Sequence, residues 1–346
     1  MLLSILTATF ENEDGRTTLN YKLYPKNLND YDRKDDFRIV GGTNTSVKEF
    51  PFMVSLQRNS RPLCGGSIIS ELFVLTAGHC VYNLSEGKLI DPLPLNVMAG
   101  QTVLDLGYGQ FRDVKKLYLH SSYNNTYLTH DIGLVEVFGP FSWSPYTYPV
   151  ELYGKTHAPY ESHKYCTVIG WGITSPITLT DLMEKNKSSL VATKTKCLHK
   201  VHLETNSKSD CFSYVGFIPN LFDYTKLCSI LKGGKGTCFG DSGGPLVCNR
   251  VQYGIISASQ GCAQKGMPAL FTDVSIFHDW VYGVLNNTKE RVRTREVAKR
   301  SLKNNFRLGD MEKSISNSIQ YISKLHLNLV VVIVLFMYIF NKFNIT

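Results

Sequence analysis

Between residues 39 and 285 the chain reads as a series of short β-type runs separated by glycine, proline and asparagine. PFMVSLQ, GGSIIS, FVLTAG, LNVMAG, DIGLVEV, TVIGWG, GPLVC and YGIISAS are examples. Runs of this length and spacing predict an antiparallel all-β barrel or sandwich. One segment breaks the pattern. Residues 275–285, SIFHDWVYGVL, predict a helix with Ile276, Trp280 and Val284 on one face.

The flanks read differently. Residues 1–10, MLLSILTATF, resemble either the remnant of a signal-peptide core without its charged start or a truncated N-terminus. Residues 11–38 are polar and free of cysteine, and predict a flexible leader, taken here as an activation propeptide. A basic linker occupies 286–324, a solvated tether by its charge. The apolar run LHLNLVVVIVLFMYIF at 325–340 follows it. As a helix it spans ~24 Å against a hydrocarbon core of ~30 Å. With its short polar spacer, the stretch 325–341 is expected to be either a transmembrane helix or a lipid-anchor signal.

Composition narrows the setting. The net charge of +8 over 346 residues would suit nucleic acid, but nine Lys/Arg against four Asp/Glu fall between Lys289 and Lys313. The excess is a local run and not a binding face, so no nucleic-acid partner is expected. All nine cysteines lie inside 39–285 without a CxxC pair, which argues against zinc. Six sequons begin at Asn44, Asn83, Asn124, Asn186, Asn286 and Asn344. Scattered cysteines with sequons predict an oxidising secretory route, with the product secreted or anchored at the cell surface.

Three strings carry the chemistry. LTAGHC sets His79 beside Cys80 at the end of an apolar strand. HDIGLV opens a buried strand with Asp131. GDSGGP places Ser242 among glycines, where a tight turn can expose its hydroxyl. A serine hydroxyl needs a base within hydrogen-bond reach to act as a nucleophile at neutral pH. His, Asp and Ser in that order supply such a set.

With IVGG, LTAGHC, DIGLVEV, GWG and GDSGGP in family order, residues 39–285 resemble a trypsin/chymotrypsin-family serine protease. The resemblance implies two packed antiparallel six-stranded β-barrels and a C-terminal α-helix, with the separate apolar helix beyond. It implies Ser242 as nucleophile, His79 as general base and acid, and Asp131 as the group that orients the imidazole. The backbone N–H groups of Gly240 and Ser242 would form the oxyanion hole. It also explains DDFRIVGG. Cleavage after Arg38 would give Ile39 a new α-ammonium, which would fold inward and pair with Asp241. The chain is thus expected to be an inactive precursor.

By the same resemblance, Cys64 pairs with Cys80, Cys166 with Cys248, Cys211 with Cys228, and Cys238 with Cys262. Cys197 is left free or intermolecularly bonded. Residues 172–196 form a longer loop than in compact relatives. Gly236 falls at the pocket floor, where enzymes that cut after Lys or Arg carry aspartate, and a buried guanidinium without a counter-charge is heavily penalised. Ser257, Ala258, Ser259 and Ala269 form the pocket walls, and small to medium apolar residues are expected to fit. The implied partners are a protein or peptide substrate, an activating trypsin-like protease, protein protease inhibitors, and a membrane through the C-terminal segment. No cofactor or metal is expected. A second reading is a catalytically silent homologue that acts as a binding partner; the triad residues argue against it, and Gly78 and Ser257-Ala258-Ser259 are the departures that favour it.

Overall fold

A computed structural model of the protein describes residues 5–13, 16–24, 41–104, 107–154, 157, 164–172, 196–215, 222–238, 240–259, 262–263, 265–305, 317, 319–320 and 324. Arg38 and Ile39, residues 173–195 of the expected long loop, and the apolar run at 325–341 lie outside the described residues.

The leader holds a β-hairpin where a flexible segment was expected. Strand β1 (Ile5–Glu13) pairs antiparallel with β2 (Arg16–Tyr24), from Ile5 opposite Tyr24 to Glu13 opposite Arg16. The signal is in the sequence. Leu19, Tyr21 and Leu23 alternate with Thr18, Asn20 and Lys22, and Asp14-Gly15 is a favoured two-residue hairpin connection.

Next come β3 (Thr43–Asn44), β4 (Met53–Arg58), β5 (Arg61–Ser70), β6 (Phe73–Thr76), β7 (Tyr82–Asn83), β8 (Lys88–Leu89), β9 (Leu95–Ala99), β10 (Gln110–Leu119) and β11 (Gly133–Val137). Six of these close a barrel in the order β10-β11-β6-β5-β4-β9. Its strands are rich in buried Val, Ile, Leu and Met; Met53, Val54, Leu56, Ile68, Val74, Leu75, Val97 and Val135 are all fully buried. Closure leaves no edge strand to protect.

The second half comprises β12 (Glu151–Leu152), β13 (Tyr165–Gly170), β14 (His199–Glu204), helix α1 (Lys208–Val215), β15 (Lys226–Ile230), β16 (Pro245–Cys248), β17 (Val251–Ser259) and β18 (Pro268–Asp273). They form an eight-stranded sheet in the order β15-β18-β17-β16-β13-β14-β3, with β12 beside β17. Among the described residues this sheet is open, and the second closed six-stranded barrel that was expected is not seen there. Between β14 and β15 one backbone bond, from the Asn206 N–H to the Cys228 carbonyl at 3.0 Å, is joined by two that involve side chains. Ser229 Oγ donates to the Glu204 carbonyl at 2.7 Å, and the Ile230 N–H donates to Asn206 Oδ1 at 2.7 Å. The core of this half includes Val168, Val201, Leu227, Leu246, Ile256 and Phe271.

Helix α2 (Val274–Asn305) starts near the predicted point but runs twenty residues further, into the expected tether. No glycine or proline interrupts residues 284–305, and Glu296 stands four residues before Arg300, so nothing local stops the helix. Its buried face also differs from the predicted one. Val274, Phe277, Val281 and Leu285 are buried, whereas Ile276 is exposed. Both sets have helical spacing; the face that turns inward is set by the surface the helix meets. Among the described residues no helix is long and apolar enough to cross a membrane.

Candidate active site

His79 sits in a single 3-10 turn, Gly78–Cys80, directly after β6. The turn is tied to β5 through the Cys64–Cys80 disulfide. Asp131 precedes β11 and is fully buried. Its two carboxylate oxygens divide their work. Oδ1 accepts the His79 backbone N–H at 2.8 Å, and Oδ2 lies 2.8 Å from His79 Nδ1. Ser257 Oγ also donates to Oδ2, at 2.6 Å, and Thr272 Oγ1 donates to the Asp131 carbonyl at 2.7 Å. Burial opposes ionisation of Asp131, but the facing His79 and the hydrogen bonds from His79 and Ser257 outweigh it and hold the carboxyl below its ordinary range. A carboxylate bonded to Nδ1 fixes which ring nitrogen carries the proton and leaves Nε2 as the acceptor. Nε2 is buried and has no hydrogen-bond partner. The structure therefore brings His79 and Asp131 together but forms no hydrogen bond between His79 and Ser242.

Ser242 lies in the tight turn before β16 and is 3% exposed. Its carbonyl accepts the Gly65 N–H at 2.8 Å, which seats the turn on β5. Gly243 has φ +79°, and a Cβ there would stand 2.2 Å from Thr76 Oγ1 and 2.5 Å from the Gly65 carbonyl. Only glycine allows the serine turn to press this closely on the strand that leads to His79. Gly240, at φ +94°, likewise adopts a backbone conformation that side chains disfavour.

Asp241 points the opposite way from its neighbour's turn, into the protein. It is fully buried, with Oδ1 accepting the Gly172 N–H at 2.7 Å and Oδ2 the Cys238 N–H at 3.0 Å. Burial pushes its carboxyl up to about 7, although these two N–H groups pull the other way. The described residues give it no cation.

At the expected pocket floor, a Cβ on Gly236 would meet Leu231 Cδ1 at 2.8 Å and Ala263 Cα at 3.1 Å. The atoms nearest this position are apolar and leave no room for a Cβ. Ala269 is fully buried and pairs across strands with Ser259. Ala258 packs against the cluster of Cys211, Phe222, Cys228 and Leu270. A bulge in the β17–β18 ladder falls between Ile256 and Ala258, at Ser257. Bulges re-aim a side chain, and this one turns the Ser257 hydroxyl to Asp131. Sequence reasoning assigned Ser257 to the pocket wall and did not find the contacts of Ser257 and Thr272 with Asp131, or of Gly172 with Asp241. These residues lie 126, 141 and 69 positions from their partners; only the serine, next to the atypical Ala258, drew notice.

The four disulfides Cys64–Cys80, Cys166–Cys248, Cys211–Cys228 and Cys238–Cys262 are formed. Cys197 is a free, half-buried thiol.

Residues 39–281 match the Trypsin family. Trypsin-2 of Salmo salar is 34% identical over 249 residues, 71% of this chain and 95% of that protein. Trypsin 5G1 of Aedes aegypti is 35% identical over 70% of this chain and 84% of its own length. Trypsin-1 of Astacus astacus is 32% identical over 70% of this chain and 98% of its own length. With the barrel, the four disulfides and the His79–Asp131 pair already in place, these similarities decide the matter: the chain belongs to the trypsin family and is a serine endopeptidase.

Proposed function

We infer that the protein is the precursor of an extracellular endopeptidase, and that it acts through Ser242, His79 and Asp131 after cleavage behind Arg38. The observation that carries the reading is the buried line from Ser257 through Asp131 to His79, which ends at an unpartnered Nε2. A nitrogen so placed is ready to take a proton. His79 accepts the Ser242 hydroxyl proton as the oxygen attacks the scissile carbonyl, then returns it to the leaving amine. Asp131 stays ionised and stabilises the imidazolium. The N–H groups of Gly240 and Ser242 receive the developing oxyanion, each contributing about 3–4 kcal/mol. The Ser242–His79 hydrogen bond closes with substrate, since such bonds are commonly long in free enzymes.

The state of Asp241 supports the activation step. A carboxyl raised to about 7 by burial lacks what an inserted ammonium would supply. Gly41, two residues after Ile39, packs so tightly on the Gly234 carbonyl that a Cβ would stand 1.8 Å away, which supports a chain that passes close to the loop around Gly234 soon after the expected cleavage point. Specificity follows from the residues present and not from the relatives' name. A floor of Gly236 against Leu231 and Ala263 offers no carboxylate to a lysine or arginine, and it favours small to medium apolar side chains. Beyond Ile256, β17 pairs only with β18 among the described residues, which leaves one edge open to an extended substrate strand. The enzyme would then not cut its own Arg38 site. A separate trypsin-like protease must act on it, and protein inhibitors and the cell surface remain its other expected partners.

The test uses purified full-length chain before and after cleavage behind Arg38. A fluorophosphonate probe should label only the cleaved form, and Ser242→Ala should abolish labelling. A peptide library should then show cleavage after apolar residues. Equal labelling of both forms defeats the activation reading, no labelling of either favours the silent homologue, and preferential cleavage after Arg defeats the specificity reading.

A further inference from the structure

Lys226 is among the largest fully buried side chains, at 1% exposure. It opens β15 and stands directly opposite Thr272 of β18. Directly opposed residues of antiparallel strands project from the same face. Both side chains on that face end on one segment. Thr272 Oγ1 donates to the Asp131 carbonyl at 2.7 Å, and Lys226 Nζ donates to the Tyr127 carbonyl at 2.9 Å. The two donors hold both ends of residues 127–131.

The held segment needs holding. Leu128 and His130 both have φ +52°, a left-handed conformation that residues with a Cβ disfavour. Within the loop, the Asn124 N–H donates to the Thr129 carbonyl at 3.1 Å, and the Ile132 N–H donates to the His130 carbonyl at 2.8 Å. These bonds shape the loop but do not fix it to the other half of the protein, which Lys226 and Thr272 do.

The charge also matters. Among the described residues, Asp223, on the approach to β15, and Asp131 face the ammonium. Asp223 Oδ1 accepts from the Thr225 N–H and hydroxyl, at 2.9 and 2.5 Å. In the loop itself, Tyr123 faces Asp131, and His130 stacks on His120 with Tyr224 at its edge. Burial pushes Lys226 down to about 8, against the pull of Asp223 and Asp131, so it carries its charge at neutral pH.

We propose that Lys226 is a positioning residue for Asp131. Together with Thr272 it fixes the segment that presents Asp131 to His79, and its buried cation moderates the carboxylate's pull on the imidazole. The proposal rests on the triad assignment above. It adds a lysine, supplied by the half that carries the nucleophile, which sets the geometry of the half that carries the base.

Lys226→Met keeps the length of the side chain and removes both donor and charge. In the Arg38-cleaved enzyme, kcat on a short ester should fall about tenfold with KM little changed. The acid limb of the kcat/KM profile should move about half a pH unit upward, because no buried cation then opposes the protonated imidazole. A residue that only fills space would lower kcat without moving that limb. Lys232→Met, at an exposed site on the same strand's exit, should match wild type. Wild-type kcat and acid limb in folded Lys226→Met would overturn the proposal. Failure of the wild-type enzyme to take the fluorophosphonate label would instead overturn the triad reading. Should Lys226→Met not fold, the His79 Nδ1 proton is followed by NMR in the uncleaved Ser242→Ala chain. A step near pH 8 is expected, and its absence overturns the proposal.

Discussion

Asp241→Asn separates the proposed precursor from its proposed activated form in a way that no change at His79, Asp131 or Ser242 can. An aspartate moved from an ordinary value of about 3.9 to about 7 makes ionisation costlier in the folded chain than in the unfolded one. Because the folded value is the higher, the folded precursor binds more protons between about pH 4 and pH 7, and its stability falls as pH rises through that window. At about 1.36 kcal/mol per decade the loss is about 4 kcal/mol by pH 8. Asparagine cannot ionise and escapes this loss. It also offers one acceptor where Gly172 and Cys238 use two, a cost that does not vary with pH. In uncleaved protein with Ser242→Ala to prevent autolysis, the stability of the Asn variant relative to Asp should therefore improve by several kcal/mol between pH 4 and pH 8. After cleavage behind Arg38 the order should reverse at pH 8, since the new ammonium then loses its counter-charge. Urea unfolding at a series of pH values, before and after cleavage, measures both. A difference that is flat with pH in the precursor, or identical in the two forms, would refute the reasoning.

Three further outcomes follow from the described geometry. Gly236→Asp must displace Leu231 Cδ1, 2.8 Å from the new Cβ, at about 1–3 kcal/mol in thermal unfolding, while introducing cleavage after Arg in a peptide library. Ser257→Ala removes a 2.6 Å bond to an ionised group, contributing about 1.5–3 kcal/mol, and kcat/KM should drop about tenfold or more. Asp131 is held low, so its contribution to stability is present above the ordinary carboxyl range and lost as pH falls; in Ser257→Ala the acid-unfolding midpoint should move to higher pH. Replacing Cys238 and Cys262 by Ser opens a loop with a separation of 24 residues, expected to cost about 3 kcal/mol in urea unfolding with kcat/KM reduced.

The short motifs around His79, Asp131 and Ser242 were readable because each local string has its own backbone reason, as the fit of Gly243 against Thr76 and Gly65 shows. The disulfide pairs were readable through the family pattern. What stayed hidden was long-range. Nothing near Thr272 in the chain announces that its hydroxyl ends on Asp131, and a lysine in KLCSI reads as surface until the sheet buries it. The predicted helix face was wrong because Ile276 and Phe277 fit the same period, and only the partner surface chooses between them. The extent of helix α2 was underestimated because a charge run was weighed above the absence of a breaker.

The closed barrel is built from one unbroken stretch, residues 53–137, and its disulfide joins two cysteines 16 positions apart. A ribosome adding ~5–20 residues per second leaves about 5–20 s between the barrel's last strand and the proposed nucleophile. During that interval the emerging polypeptide can close and oxidise its first half, while Ser242 and the side chains of Lys226, Ser257 and Thr272 that hold residues 127–131 are still to come. Translation order itself thus keeps the first barrel harmless to the machinery that makes it until the second half arrives.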